Sequence, residues 1–340
     1  MIINANKYQS LIMKKKIAIV AGGDSSEYQV SLRSAEGLMS FMDNDKYDCT
    51  VCVLHGTDWH ACYQNKEYPI DRNDFSFTAP DGHHTFDFAY ITIHGTPGEN
   101  GVLQGYFDLI HMPYSTSGVK IEAVTFNKFM LCTLLRSQPG LFVADSILLR
   151  KDEARPSDES IVERLGLPCF VKPNAGGSSF GVTKVKTIDQ LSSAIDAALA
   201  EDNEVMIESL LTGTEITCGC YQGGGDLITF PLTEVVTDQE FFDYDAKYNG
   251  KVDEITPARI HPDTAARVQE LTRTLFRLLG CYGIIRIDYI LRGTPGEEEI
   301  CLLEINTVPG MTATSFIPQQ VRAAGLDIKD VLSDIIEGRL

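Results

Sequence analysis

The sequence predicts an α/β and α+β fold in three units, of which the first is a small parallel α/β domain. In that unit, apolar stretches at 17–20, 47–54 and 86–94 alternate with segments of helical periodicity, which is typical of strands joined by crossover helices. Two later pairs of apolar stretches, at 168–185 and 284–305, are each interrupted by a glycine-containing turn, which is typical of hairpins. We therefore expect domains at 1–125, 126–212 and 213–340.

In the first unit, the opening apolar stretch leads into a glycine pair at 22–23, which marks a turn after a buried strand. Ser25 or Ser26 is placed to cap the helix that follows. The third stretch ends in a second glycine-rich loop at 95–101. In parallel sheets ligands bind beyond the carboxyl ends of the strands, and both loops occupy that position.

The middle unit is predicted as strand, glycine-rich loop and strand over 168–173, 174–181 and 182–185. A capping-box pattern at 187–190 predicts the start of a helix, and 204–208 predicts the next strand. Glycines in the loop would let backbone N–H groups approach phosphate oxygens. The loop lacks the Gly-Lys-Ser/Thr of a Walker A motif, so a plain flexible turn is an equal alternative.

Side chains around this loop suit an anionic ligand. Ser178 and Ser179 offer hydroxyl donors, and Lys172 places a positive charge at the strand end before the loop. Together they predict a phosphate-binding segment.

The last unit is predicted to contain a long helix and a hairpin. Pro262 in the first turn and Gly280 just past the end delimit the helix. Apolar strands at 284–291 and 299–305 flank a turn at 293–296.

Charged residues interrupt the two apolar strands of this hairpin. Because strand side chains alternate faces, Arg286 and Asp288 share one face, and Glu304 and Asn306 share one face of the partner strand. Isolated charges in apolar strands are costly unless paired or metal-bound. Carboxylate and amide oxygens are the ligands that Mg²⁺ prefers, so Asp288, Glu304 and Asn306 predict a magnesium site. A pair of solvated strand faces is the alternative.

Bulk composition excludes some classes of function. With 29 basic and 47 acidic residues, the formal charge is −18, which argues against a nucleic-acid partner. No apolar run approaches the roughly 18 residues of a membrane span. The nine cysteines show no metal-like clustering, and the isolated C-x-x-C of Cys49 and Cys52 is best interpreted as buried core thiols. Reduced thiols and the lack of a signal-peptide pattern indicate a cytoplasmic protein. We expect Met13 to be the natural start and 1–12 an extension.

Short sequence blocks, in a fixed order from about Lys15 to the C-terminus, resemble the D-alanine–D-alanine ligases of the ATP-grasp superfamily. The blocks are Ala21-Gly22-Gly23, Ser26-Glu27, Val30-Ser31-Leu32, Ile93-His94-Gly95, Gly98-Glu99, Leu103-Gln104-Gly105, Val171-Lys172-Pro173, Gly177-Ser178-Ser179, Asp243-Tyr244-Asp245-Ala246-Lys247-Tyr248, Arg286-Ile287-Asp288, Glu304-Ile305-Asn306-Thr307 and Pro309-Gly310-Met311-Thr312.

The resemblance implies a three-domain ATP-grasp architecture and an ADP-forming ligase for peptidoglycan synthesis. The first D-alanine would attack the γ-phosphate of ATP, and the second would attack the resulting D-alanyl phosphate to give D-alanyl-D-alanine. Two Mg²⁺ ions, for which Mn²⁺ would substitute, and a homodimer are also implied. D-Serine or D-lactate as second substrate, or a nucleotide-binding regulator without turnover, are the alternatives.

The resemblance also implies roles for individual residues. Glu27 would hold the ammonium group of the first D-alanine, and His94 would help to orient that substrate. Arg286 and the backbone N–H of Gly310 would stabilise the transferring phosphate and the oxyanion. The implied ligands of the ATP phosphates are Lys128, Lys172, Ser178, Ser179 and Lys247. The implied contacts of adenine and ribose are Glu208, Leu210, Leu211 and Glu215. The carboxylate of the second D-alanine would bind at Ser315 and Phe316.

A mobile loop carries the implied specificity for the second substrate. Tyr248 would close over the site and hydrogen-bond to Ser178 and Glu27, excluding water from the acyl phosphate. A tyrosine at this position favours an amine nucleophile. Phe316 is aromatic where relatives often have leucine or methionine, which leaves fine selectivity open.

Overall fold

The computed structural model describes residues 14–177, 181–237 and 252–340. Among these residues the strands form three sheets, at 15–91, 146–209 and 214–306. The predicted α/β and α+β class is confirmed, and the domain boundaries at 125 and 212 remain predictions.

The element bounds are as follows. The strands are β1 Lys15–Gly22, β2 Tyr47–His55, β3 Asp58–Tyr63, β4 Lys66–Asp71, β5 Ser76–Ala79, β6 Gly82–His84, β7 Phe88–Ile91, β8 Ser146–Arg150, β9 Cys169–Pro173, β10 Thr183–Val185, β11 Glu204–Ser209, β12 Thr214–Gln222, β13 Ile228–Thr229, β14 Thr233–Thr237, β15 Val252–Ile255, β16 Gly283–Arg292 and β17 Glu299–Asn306. The helices are α1 Tyr28–Phe41, α2 Val102–Leu109, α3 Val119–Phe126, α4 Lys128–Leu135, α5 Asp158–Leu165, α6 Leu191–Glu201, α7 Pro262–Leu279, α8 Phe316–Ala323 and α9 Ile328–Glu337.

The first sheet has the order β6-β5-β4-β3-β2-β1-β7. Only β1, β2 and β7 pair in parallel, as predicted for this unit. Strands β3 to β6 extend the sheet as antiparallel hairpins, which the sequence analysis did not predict. The helix after β1 begins with Glu27 as its N-cap, one residue beyond the expected serines, and the Ser25 hydroxyl accepts from the Glu27 N–H.

The middle sheet has the order β10-β9-β11-β8. Strands β9 and β10 pair antiparallel across the glycine-rich loop, as predicted. Thr187 and Gln190 form the predicted capping box ahead of α6. Strand β11 pairs with β9, so that Met206 lies opposite Lys172 and Glu208 lies opposite Phe170.

The third sheet has the order β15-β14-β12-β16-β17, with β13 paired to β12. Helix α7 has Pro262 in its first turn and Gly280 as its C-cap, where the residue adopts φ +75°. These are the helix boundaries that the two residues predicted. Its buried face packs on this sheet, and the core there includes Leu275, Phe276 and Ile287.

Both faces of β1 are buried. Ile17 and Ile19 face a core shared with α1 and with the C-terminal helices, whereas Ala18 and Val20 face the aromatic core beneath β3 to β7. The first core includes Ile317 of α8, so the C-terminal helices pack directly against the first sheet. This contact brings the loop after β17 next to the loops after β1 and β7. Across the described ranges, the helices are too short or too polar to cross a bilayer.

Candidate active site

A cavity of about 420 Å³ lies where the three sheets meet. Its walls come from the start of α1, the loop after β7, the junction of α3 and α4, the glycine-rich loop, and the ends of β16 and β17. Several residues with roles predicted from the sequence line the cavity: Glu27, His94, Lys128, Arg286, Glu304, Asn306, Ser315 and Phe316, with the backbone of Gly310.

The hairpin of β16 and β17 brings four polar side chains together on one face. Arg286 lies directly opposite Asn306, and Asp288 lies opposite Glu304. The Asn306 Nδ2 donates to Asp288 Oδ2 at 3.1 Å and to Glu304 Oε1 at 3.4 Å. A register shift follows Asp288, so the β-bulge begins just beyond these paired positions. The predicted convergence of these side chains is therefore observed.

Arg286 forms a bidentate pair with Asp288, through Nε at 2.8 Å and Nη2 at 2.7 Å. Both side chains are largely buried, and such forked pairs are the stronger kind of charge-assisted hydrogen bond. The Arg286 guanidinium also lies 5.1 Å from the centre of the Phe316 ring. It is held at the cavity wall, where it can meet a developing negative charge.

Two carboxylates and an amide oxygen form the candidate metal-binding set: Asp288, Glu304 and Asn306. The described ranges contain no cluster of three or more histidine, cysteine or acidic side chains that could hold a metal, and the third member of this set is an amide. Two carboxylates within hydrogen-bond distance of one amide side chain fit a hard divalent cation completed by phosphate oxygens and water. They do not suit a soft metal.

Lys128 lines the cavity, whereas Lys172, in β9 of the middle sheet, is not among the lining residues. The Lys128 Nζ donates to the Gly176 carbonyl at 2.6 Å, and Lys172 forms an ion pair with Glu208 at 2.5 Å. Burial lowers the pKa of Lys128. Burial acts in the same direction on Lys172, but the charge of Glu208 outweighs it and raises the pKa. The charge of Glu304 acts on both lysines, so the cationic and metal-binding groups face one another.

The predicted adenine-binding residues lie between the middle and third sheets. Leu210 and Leu211 are half-buried in the connection from β11 to β12, and Glu215 follows in β12 opposite Ile290.

Glu27 is nearly buried at the start of α1, on the wall opposite the metal-binding hairpin. A Cβ on Gly177 would lie 2.3 Å from Glu27 Oε2, so only glycine allows the loop after β9 to approach this carboxylate so closely. An ammonium group is the kind of ligand that such a carboxylate would bind.

His94 is buried, and both of its ring nitrogens contact protein groups. Nδ1 lies 2.9 Å from the Val308 carbonyl, which can only accept, so Nδ1 carries the proton. Nε2 therefore accepts from the Ser34 hydroxyl at 3.0 Å. Burial lowers the pKa of His94, with the charge of Arg286 acting in the same direction and that of Glu27 opposing it. A neutral histidine thus links α1 to the loop after β17.

Ser315 is the N-cap residue of α8, and its Oγ accepts from the Thr312 N–H at 3.1 Å. A Cβ on Gly310 would lie 3.0 Å from this hydroxyl, so Gly310 and Ser315 form one edge of the cavity. Helix N-termini bind carboxylates through their free N–H groups. Phe316 follows in the first turn and contacts Arg286, as described above.

Four residues with predicted roles lie outside the described residues: Ser178, Ser179, Lys247 and Tyr248. Their predicted roles are carried forward as proposals. Met13 and the segment 1–12 also lie outside the described residues.

Two cavity residues, Glu99 and Glu254, carry no role predicted from the sequence, and neither does Ser34, which contacts His94. Glu99 accepts from the Gly95 N–H at 2.7 Å, and its position in the quoted loop after β7 was the available signal. Ser34 lies seven residues after Glu27, on the same face of α1, which is also a recognisable spacing. Glu254 on edge strand β15 accepts from Gln319 at 2.5 Å, and no local pattern marks it.

Replacing Glu99 with glutamine should make stability less dependent on pH. Burial, with the negative charge of Glu27, raises the pKa of Glu99 to about 8. The folded chain therefore binds more protons than the unfolded chain between the two pKa values. The parent's free energy of unfolding should fall relative to that of Glu99→Gln as pH rises from about 5 to about 8, by on the order of 2 kcal/mol.

Urea unfolding of both proteins across this pH range measures the difference. Glu297→Gln, at an exposed position, is the control and should keep the parent's pH slope. Equal slopes for the parent and Glu99→Gln would contradict the raised pKa.

Comparison with known proteins supports one interpretation of this cavity. Residues 16–117 match the family model described as D-ala D-ala ligase N-terminus, and residues 135–337 match the model described as D-ala D-ala ligase C-terminus. A D-alanine–D-alanine ligase of Bacteroides fragilis is 60% identical over 96% of this chain and 100% of its own length. One from Porphyromonas gingivalis is 48% identical over 96% of this chain and 99% of its own length.

Solved structures show the same similarity. The VanG D-Ala:D-Ser ligase from Enterococcus faecalis has a TM-score of 0.83 at 30% identity, covering 96% of this chain and 100% of that one. The D-alanyl-alanine synthetase A from Vibrio cholerae has a TM-score of 0.84 at 26% identity, covering 96% and 98%.

Proposed function

The chain belongs to the D-alanine–D-alanine ligase family, and from that membership we propose its function: ATP-dependent ligation of two D-alanines to D-alanyl-D-alanine. It is an ADP-forming ligase with the ATP-grasp fold, and its product serves peptidoglycan synthesis. The observation that best supports this activity in the molecule itself is the convergence of Arg286, Glu304 and Asn306 at the wall of the cavity, with Asp288 paired to Arg286.

In the proposed reaction, Glu27 binds the ammonium group of the first D-alanine, so that the carboxylate of this D-alanine points toward the γ-phosphate of ATP. Attack by the D-alanine carboxylate gives D-alanyl phosphate and ADP. Lys128 and Lys172 neutralise phosphate charge from the opposite side, where the charge of Glu304 acts on both. The chain contributes mainly positioning and charge stabilisation, as in other phosphoryl transfers.

In the second step, the amino group of the second D-alanine attacks the acyl phosphate carbonyl and expels phosphate. Arg286 is held beside the reacting centre by Asp288 and Phe316, and the N–H of Gly310 is the second proposed donor to the oxyanion. Ser315 and the first turn of α8 are the proposed site of the second carboxylate, and Phe316 lies beside it.

Members of this family use ATP and metal ions. We propose Mg²⁺, with two ions held by Asp288, Glu304 and Asn306, and Mn²⁺ as a substitute. When bound, the metal neutralises charge on the transferring phosphate. The donor set of two carboxylates and an amide supports this choice.

The remaining proposals concern the other nucleotide-binding residues, the role of His94, and the assembly and location of the protein. Ser178, Ser179 and Lys247 are proposed to bind ATP phosphates, with Leu210, Leu211, Glu208 and Glu215 around the adenine and ribose. His94 is proposed to position the first substrate through its contacts rather than to react with it. A cytoplasmic homodimer acting on small-molecule substrates, and domains at 1–125, 126–212 and 213–340, complete the proposal.

One assay tests the activity and its alternatives. ADP release is measured with ATP and D-alanine, alone and with added D-serine or D-lactate, and the products are identified by mass. We expect D-alanyl-D-alanine from D-alanine alone. The similarity to a D-Ala:D-Ser ligase makes D-serine the second candidate, and a mixed product made faster than the dipeptide of alanine would favour it. Absence of ADP under every condition would indicate a regulator without turnover.

Replacing Tyr248 with phenylalanine should uncouple ATP use from dipeptide formation while leaving ATP binding intact. The proposed loop closure excludes water from the acyl phosphate, so a weakened closure allows hydrolysis. ATP consumed per dipeptide formed is the measurement, and it should rise severalfold. Tyr68→Phe, on the distant strand β4, is the control and should keep the parent's ratio. Unchanged coupling in Tyr248→Phe would remove Tyr248 from the closure.

A further inference from the structure

Behind the cavity, helix α3 carries a carboxyl group that the proposed reaction does not use. Glu122 is fully buried, in a helix that packs against β17. Its Oε2 accepts from the Thr307 hydroxyl. Its Oε1 is buried and has no hydrogen-bond partner among the residues that the structure describes. A buried carboxyl group is costly to retain for packing alone.

Burial raises the pKa of Glu122 well above its ordinary value. The neutral acid keeps an acceptor oxygen for the Thr307 hydroxyl. A short aliphatic side chain at this position would leave the Thr307 hydroxyl buried without that partner.

Thr307 directly follows Asn306, the last residue of β17 and one of the candidate metal ligands. The next residue, Val308, is held through its carbonyl, which accepts from His94 Nδ1 at 2.9 Å. Two buried side chains of the first unit, Glu122 and His94, therefore hold consecutive residues of the loop that leads to Gly310.

The same helix ends at the other wall of the cavity. Thr125 and Phe126 line the cavity, and Lys128, the proposed phosphate ligand, begins α4 two residues later. A contact between Glu122 and Thr307 thus connects the phosphate-binding side of the cavity to the metal-binding side.

We propose that Glu122 is a positioning residue that, through the Thr307 hydroxyl, sets the orientation of Asn306 toward the metal and of the loop leading to Gly310. It does not contact the reactants. This inference rests on the proposed function, because it assigns Glu122 to the support of that metal site. Loss of groups that orient metal ligands typically costs about 10- to 100-fold in metal affinity or activity.

The test uses the full chain with Thr307→Val, Glu122→Ala and the double variant. ADP binding is measured by calorimetry as a function of Mg²⁺ concentration, which does not depend on turnover. Each single variant should raise the Mg²⁺ concentration for half-maximal effect by about tenfold. ADP affinity without Mg²⁺ should be unchanged. The double variant should be no worse than either single variant, because both remove the same contact.

The chain offers a matched control for general damage to folding. Thr264 donates to Glu298 at 2.5 Å, a second buried threonine–glutamate contact that lies away from the cavity. Thr264→Val should lower thermal stability without changing the Mg²⁺ dependence. Thr307→Ser keeps the hydroxyl and should behave like the parent. The comparison of Thr307→Val with Thr307→Ser therefore tests the contact even if Glu122→Ala does not fold.

Parent-like Mg²⁺ dependence in Thr307→Val, additive effects in the double variant, or an equal shift in Thr264→Val would each overturn the assignment. The outcomes are separable from a failure of the proposed function. A parent protein that binds ADP with Mg²⁺ but forms no dipeptide would remove the ligase activity and leave the role of Glu122 testable.

Discussion

Glu304→Gln should reduce dipeptide formation by at least about a thousandfold, because a catalytic metal supplies several kcal/mol of charge stabilisation. Glutamine keeps the size of the side chain and its hydrogen bond with Asn306 but removes the negative charge that faces the cation. The loss should be partly restored by raising Mg²⁺ well above ordinary concentrations. Steady-state rates over a range of Mg²⁺ concentrations measure both effects.

The matched control is Glu299→Gln at the opposite end of the same strand. Glu299 pairs with Arg292 at the surface and lies outside the cavity, so its loss should leave turnover close to that of the parent. Normal turnover of Glu304→Gln at ordinary Mg²⁺ would contradict the metal assignment.

Arg286→Lys should lower kcat by about 100- to 1,000-fold with little change in the KM for ATP. Lysine keeps the positive charge beside Asp288, so the fold is retained, but it lacks the planar fork that holds two oxygens at once. The loss should therefore appear mainly in transition-state stabilisation. Pre-steady-state and steady-state rates, with nucleotide affinity, separate the two contributions.

Arg292→Lys is the control for this variant. It changes the same residue type on the same strand, where the side chain pairs with Glu299 at the surface. Arg292→Lys should retain the parent's kcat. An Arg286→Lys variant with near-parent kcat and a strongly raised KM would indicate a binding role instead.

The hairpin that carries the candidate metal ligands could be predicted from sequence because two local signals agree. The period of two places Arg286 with Asp288 and Glu304 with Asn306, and the turn at 293–296 pairs the strands antiparallel. The observed pairing of Asp288 with Glu304 then follows from the register.

The antiparallel strands β3 to β6 were missed for an equally local reason. Their first turn, at Gln64 and Asn65, has positive φ at both residues, 49° and 59°. Such turns are usually marked by Asn-Gly or Asp-Gly, and glutamine gives no such signal. The burial of these short strands depends on aromatic packing with α2, which the segment's own pattern does not reveal.

Residues that support the site from a distance in sequence were also missed. Glu254 meets Gln319, and Glu122 meets Thr307, across separations of 65 and 185 residues. A single sequence contains no periodicity that connects such positions. Local patterns could therefore predict the polar residues of the cavity wall. The residues that hold this wall in place could be identified only from the tertiary structure.

The most direct test of the metal site is anomalous scattering from crystals of the full chain grown with ADP and Mn²⁺. Manganese peaks are expected within coordination distance of oxygens from Asp288, Glu304 and Asn306, next to the nucleotide phosphates. Manganese bound to the nucleotide with these three side chains beyond coordination distance would contradict this expectation.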